Sequence, residues 1–223
     1  MRINIIQHTP NEGPGYIRNW ADLHDYDLYI YHPQQFSGIL PQAKNVDMLI
    51  ILGSPMNPND SFYWIEEERK LILELIDRKI PIFGVCFGAQ QIAKAMGYNI
   101  KTAKHKEVGW APVYLRSNII PNIPKKFTTL HWHQDMFEMP AEAVPLFSSD
   151  LLENQGFLLG ERIIGLQFHL ESTPEGVREL VINDHKYPEV DNSLGQSGKY
   201  ILREEFPASN EGILYMLLDF ITK

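Results

Sequence analysis

Ile80-Pro81-Ile82-Phe83-Gly84-Val85-Cys86-Phe87-Gly88-Ala89-Gln90-Gln91 is the stretch that decides the fold. Its first half is apolar and partly β-branched, which reads as a buried strand, and Ala89 to Met96 reads as a helix. Between them, Gly84-x-Cys86-x-Gly88 has the spacing of a nucleophile elbow with sulfur in place of oxygen. The two glycines have a physical task. A sharp strand-to-helix turn holds its central residue in a strained conformation, and flanking Cβ atoms would clash. Such a turn lifts the thiol above the sheet edge. It also sets it at a helix N-terminus, where the dipole and free N–H groups favour an anionic nucleophile. Cys86 is the only cysteine in the chain. A lone cysteine acting as a small buried hydrophobe gives the paired glycines nothing to do.

On the N-terminal side, Ile3 to Ile6 and Asp27 to Tyr31 read as strands. Asp47 to Leu52 reads as a strand apolar on both faces, ending in the turn Gly53-Ser54-Pro55. Ile17 to Leu23 and Ser61 to Asp77 read as helices, with Glu66-Glu67-Glu68-Arg69-Lys70 as the solvated side of the second. Past Gly97 the pattern changes to short strands: Val113 to Leu115, Phe127 to His131, Leu146 to Ser148, Gln155 to Leu159 and Ile163 to Phe168. Pro174 to Ile182 is a proline-opened helix, Asp184 to Gln196 is loop-like, and Glu211 to Ile221 is an apolar helix. Alternating strands and helices predict an α/β fold. Its open sheet is mainly parallel with helices on both faces, joined by a small antiparallel sheet. Residues 1–223 are expected to form one domain with a C-terminal helical extension over about 175–223.

The 223 residues are 44% hydrophobic and 22% charged, as in soluble globular chains. A net charge of −8 gives no electrostatic footprint for nucleic acid. One cysteine makes no internal disulfide, Met1 to His8 is too short and polar for a signal peptide, and no apolar run is long enough to span a membrane. The expectation is a cytoplasmic protein without membrane or nucleic-acid partners.

A cysteine nucleophile needs a base, and the base an orienting group. In Gly165-Leu166-Gln167-Phe168-His169-Leu170-Glu171, His169 ends an apolar strand, and Glu171 lies two residues on, on the same face of an extended path.

Cys86 in Gly-Val-Cys-Phe-Gly-Ala-Gln, with His169 and Glu171 in Gly-Leu-Gln-Phe-His-Leu-Glu, resembles the class I, triad-type glutamine amidotransferases. The likeness is greatest to the glutaminase domains of GMP synthases and their stand-alone relatives, and runs from about Ile3 to Val177. The family includes γ-glutamyl peptide hydrolases. The resemblance implies a flavodoxin-like fold. It also implies that Cys86 attacks a glutamine side-chain amide, that His169 moves the proton to the leaving ammonia, and that Glu171 orients His169. A γ-glutamyl thioester then hydrolyses to glutamate.

The oxyanion of both steps needs two N–H donors. The resemblance implies the Phe87 N–H as the candidate for one and the turn Gly53-Ser54-Pro55 for the other. The family usually has two glycines and a proline there, and Ser54 replaces the second glycine, leaving open which N–H points inward. By resemblance, Gln90, His133 and Asp135 hold substrate, and Trp110 in Glu107-Val108-Gly109-Trp110 lines the glutamine pocket or belongs to the core. His131 and His133 alternate as metal ligands do. No cysteine accompanies them and Asp135 alone is a thin third ligand, so no metal and no cofactor are expected.

The chain has no Gly-rich Lys-Ser/Thr loop with which to activate an acceptor. It is therefore expected to use L-glutamine or another γ-glutamyl compound. It would act either as a glutaminase subunit feeding a separate synthetase or alone as a γ-glutamyl peptide hydrolase. A non-catalytic regulatory protein on the same fold is the third reading, which the intact Cys86, His169 and Glu171 oppose.

Overall fold

A computed structural model describes residues 1–223. In chain order the elements are β1 (Arg2–Ile6), α1 (Tyr16–Leu23), β2 (Asp27–Tyr31), β3 (Met48–Ile51), α2 (Tyr63–Asp77), β4 (Ile82–Val85), α3 (Phe87–Ala95), β5 (Ile100–Leu115), β6 (Lys126–Phe137), β7 (Ala143–Ser148), β8 (Gly156–Leu159), β9 (Ile163–Leu166), α4 (Pro174–Asn183), α5 (Gly198–Ile201) and α6 (Ser209–Ile221). One nine-stranded sheet runs β2-β1-β3-β4-β9-β8-β7-β5-β6. The first five strands pair in parallel. The remaining pairs are antiparallel, and they continue this same sheet instead of forming a detached one.

Pleating explains the continuous apolar runs. In β3, Met48 and Ile50 face a core shared with Trp20 of α1 and with Leu214 and Leu218 of α6. Leu49 and Ile51 face the opposite core, with Ile72 and Leu75 of α2 and Ile92 of α3. The C-terminal helix is thus packed into the central core, and Trp20 Nε1 ties it to α1 by donating to Asp219 at 2.7 Å. Helix α3 lies almost directly on the strands. A Cβ on Gly88 would sit 2.1 Å from the Ile51 carbonyl oxygen, and one on Gly84 would sit 2.7 Å from the Gly88 carbonyl group. The two glycines of the elbow therefore let helix and sheet backbones touch.

The longest hairpin exceeds its expected strands. β5 and β6 reach back to Ile100 and forward to Phe137, with Glu107 opposite His133 and Gly109 opposite His131. Along its other edge β5 meets side chains that imitate a strand. Asn192 bonds the N–H and C=O of Val108, and Gln196 bonds those of Trp110. This covers an edge that would otherwise expose unpaired backbone groups. Gly109 (φ 124°) makes the approach possible, since a Cβ there would lie 2.2 Å from Gln196 Oε1. No helix is long and apolar enough to cross a membrane.

Candidate active site

Cys86 follows β4 directly and has φ 50° and ψ −107°, a left-handed-side conformation that a non-glycine residue adopts only under constraint. Its N–H donates to the Leu166 carbonyl at 2.7 Å, which binds the elbow to the end of β9. Three residues on, the His169 N–H donates to Leu130 of β6 at 2.9 Å, fixing the histidine between two strands. His169 Nδ1 lies 2.7 Å from Glu171 Oε1, with both residues buried. The Glu171 carbonyl accepts from Tyr16 N–H at 2.8 Å, and Gly15 passes so close that a Cβ would fall 1.9 Å from that oxygen. Burial works to lower the His169 pKa. The Glu171 carboxylate and the Cys86 sulfur outweigh it and hold the imidazole well above its usual value. With Nδ1 committed to Glu171, Nε2 is the ring nitrogen left without a hydrogen-bond partner and free to serve Cys86.

A cleft of about 520 Å³ opens over Cys86, within the range of about 300–1,000 Å³ of small-molecule sites. Gln90, His133 and Asp135 line it, together with Ser54, Trp132 and Tyr187. Gln90 Nε2 donates to the Asp135 carbonyl (3.3 Å) and to Gln167 Oε1 (3.2 Å), and Gln167 Nε2 reaches Cys86 Sγ at 3.5 Å. A second cleft lies on the His169–Glu171 side and is walled by Glu175 and Glu179 of α4. Asn11, Glu12, Leu180 and Asn183 belong to both clefts and partition them. The Glu12 carboxylate occupies the space a Gly53 Cβ would fill, 2.0 Å from that position, and His169 Cε1 is 3.3 Å from it. Burial pushes the Glu12 carboxyl up against the pull of His169 and His8.

The structure brings Cys86, His169, Glu171, Gly53, Phe87, Gln90, His133 and Asp135 to one region and leaves Trp110 out. Trp110 packs with Val108, Leu130, Trp132 and Ile201 in a separate apolar cluster, and its indole donates to the Ile201 carbonyl at 3.0 Å. It does not line the Cys86 cleft. Asp135 is tied to Asn57 (2.6 Å) and Thr102 (3.0 Å) and is not beside the imidazoles as a third ligand. Glu107 takes that place: its carboxylate and the ring nitrogens of His131 and His133 lie within 4.8 Å of one another, all buried. These residue types could hold a divalent cation. Both Glu107 oxygens already accept hydrogen bonds, from Ser149 (2.8 Å) and Gln155 (2.7 Å). Burial pushes Glu107 up to about 7 and His131 down to about 3.

Sequence reasoning missed Glu12, Gln167, His8 and Glu68. Glu68 falls in the run read as solvated, yet it is fully buried against His8. Its signal was its place on the apolar stripe of α2, between Trp64 and Ile65 on one side and Leu71 and Ile72 on the other.

The family model for class-I glutamine amidotransferases matches residues 23–186 of this chain, well over half of it. A glutamine amidotransferase-like protein of Salmonella typhimurium is 27% identical over 206 residues, covering 88% of this chain and 85% of that protein. One subunit of the glutamine-hydrolysing GMP synthase of Methanococcus aeolicus is 29% identical over 149 residues, 65% of this chain and 75% of that one. The chain spans 25% of the length of the GMP synthase of Campylobacter lari that it also matches. Among solved structures, a glutamine amidotransferase of Thermotoga maritima shares the fold with a TM-score of 0.90 at 24% identity, over 100% of this chain and 98% of that one.

Proposed function

This chain belongs to the class-I glutamine amidotransferase family, and on that premise we propose that it hydrolyses a γ-glutamyl amide through a γ-glutamyl thioester on Cys86. The observation that carries the reading is the strained elbow at Cys86 beside the buried 2.7 Å His169–Glu171 pair. The Cys86 sulfur attacks the amide carbon, and the thiol proton resides on His169, whose charge Glu171 compensates. The tetrahedral intermediate carries its negative charge on the former carbonyl oxygen, facing backbone N–H groups of the elbow and the Gly53 turn. Its collapse breaks the C–N bond, and His169 gives its proton to the departing nitrogen. Water then attacks the thioester with His169 again as base, releasing glutamate and restoring the thiol. Gln90, His133 and Asp135 hold the glutamyl end in the Cys86 cleft.

Two members of this reading differ in the leaving group. Similarity to a GMP synthase subunit supports L-glutamine as substrate, with ammonia passed to a separate synthetase, and the single cysteine fits a reducing cytoplasm. The second cleft beside His169 supports a leaving group larger than ammonia, as in γ-glutamyl peptide hydrolysis by the chain alone. The test is glutamate release from L-glutamine, a γ-glutamyl dipeptide and glutathione in parallel, with Cys86→Ala as control. Peptide turnover above glutamine turnover supports independent action. Weak glutaminase activity alone supports dependence on a synthetase partner. Turnover by Cys86→Ala near the wild-type rate overturns the nucleophile assignment.

A further inference from the structure

The chemistry above leaves a fully buried histidine–carboxyl pair without a task. His8, just beyond β1, sets Nε2 3.0 Å from Glu68 Oε2, and both side chains are 0% exposed. Glu68 Oε1 accepts from Gln91 Nε2 at 2.9 Å, so the pair is anchored to α3 as well as α2. Burying polar groups is costly unless they are hydrogen-bonded, and such a pair is poor evidence of stabilisation. What it does well is hold one geometry.

That geometry is at the active site. His8 Nδ1 lies 3.1 Å from the Gly53 carbonyl oxygen. A carbonyl only accepts, so Nδ1 carries the proton. The chain has no cis peptide, so the Ser54 N–H points opposite to the Gly53 carbonyl and away from His8. Ser54 lines the cleft with Cys86, and no backbone carbonyl accepts from its N–H. The same imidazole meets the Phe87 ring edge-on at 4.7 Å and stacks on Trp64 at 5.2 Å. One side chain thus touches both residues from which oxyanion donors were expected.

We propose that His8, fixed by Glu68 and Gln91, is a positioning residue of the oxyanion hole: it pins the Gly53 carbonyl so that the Ser54 N–H joins the Phe87 N–H in receiving the oxyanion formed at Cys86. The inference rests on the acyl-transfer reading above. It also names the donor left open by the serine at position 54. Without His8 the Gly53–Ser54 peptide is free to turn its carbonyl into the hole, where it would repel the developing charge.

Two amide variants, each matching one ring nitrogen, separate the contacts. His8→Asn keeps a donor near the Nδ1 position, while His8→Gln keeps the reach to Glu68 but not the bond to Gly53. Turnover is measured with the γ-glutamyl substrates and with p-nitrophenyl acetate, which acylates a cysteine through an oxyanion whatever acyl group the cleft prefers. Alkylation of Cys86 by iodoacetamide, a displacement at saturated carbon, reports the nucleophile without an oxyanion.

His8→Gln is expected to lose roughly 10²-fold in kcat, the loss of one oxyanion donor, with KM and alkylation rate within about threefold of wild type. His8→Asn is expected to recover most of that loss. Ser54→Pro, which removes the N–H itself, is expected to lose as much and to add little when combined with His8→Gln. Turnover unchanged in Ser54→Pro, or turnover and alkylation falling together in His8→Gln, overturns the proposal. A wild-type protein that cleaves the ester but no γ-glutamyl compound refutes the substrate reading and leaves the His8 test intact. Wild-type protein that cleaves neither overturns both.

Discussion

Replacing Glu107 with glutamine is expected to stabilise the protein above neutral pH and to leave it unchanged near pH 4.5. Glu107 is 1% exposed between His131 and His133, and burial raises its carboxyl from 4.5 to about 7. Between those values the folded protein holds a proton that the unfolded chain has released. The stabilising effect of that proton is fully present below pH 4.5 and is lost as the pH climbs through about 7. The rise from 4.5 to about 7 corresponds to roughly 3 kcal/mol, at about 1.4 kcal/mol per unit. Glutamine keeps the neutral form at every pH. Ser149 can still donate to its oxygen. Gln155, whose Oε1 has no partner, can turn its amide to accept from the new NH₂ group.

The charged and titratable groups facing the carboxylate are His131, His133 and Asp150. Burial keeps both histidines neutral through this window, so they cancel when the two proteins are compared. Urea unfolding of both proteins at unit intervals from pH 5 to 8 should give a difference that grows with pH and levels off above 7. A difference independent of pH refutes the reasoning. It would mean that Glu107 is already ionised at pH 5 with its proton on a neighbouring imidazole.

Three further outcomes follow from the same geometry. His169→Ala should reduce kcat/KM at least about 10⁴-fold, and Glu171→Gln some ten- to a hundredfold less, because packing partly preserves the ring's orientation; equal losses would give Glu171 a role beyond orientation. Gly88→Ala places a methyl 2.1 Å from the Ile51 carbonyl oxygen, so α3 must lift, at about 1–3 kcal/mol or more, and a melting temperature equal to wild type would refute the close approach. Gln196→Ala removes both bonds to Trp110 and should cost about 1–3 kcal/mol while speeding hydrogen exchange at the Trp110 amide, and unchanged exchange would rule out the edge-covering role.

What the sequence disclosed was local. The Gly-x-Cys-x-Gly spacing and the apolar run before it can be read within a dozen residues, and the elbow forms where they predict it, although the contact that demands Gly88 comes from Ile51 of β3. The β5–β6 hairpin was underestimated because Lys101 to Lys106 carries no apolar alternation: Lys101 and Thr102 pair with Met136 and Asp135, and Ala103 to Lys106 lie in an irregularity before pairing resumes at Glu107. Glu107 meets His133 only through that register, whereas along the His131–His133 strand itself the nearest carboxylate is Asp135.

Glu68 is the intermediate case. A carboxylate on an apolar helical stripe announces a buried partner, but the stripe cannot say that the partner is His8, 60 positions away. The residues that matter follow strand ends: His8 after β1, Gly53 after β3, Cys86 after β4 and His169 after β9. Each end is visible in the chain, whereas their adjacency depends on the spatial order β1-β3-β4-β9. That order makes His8 a neighbour of Gly53, Gly53 of Cys86 and Cys86 of His169. A parallel sheet thereby converts four separate turns into a single row, and a residue at one end of the row can govern chemistry at the other through the backbone between them.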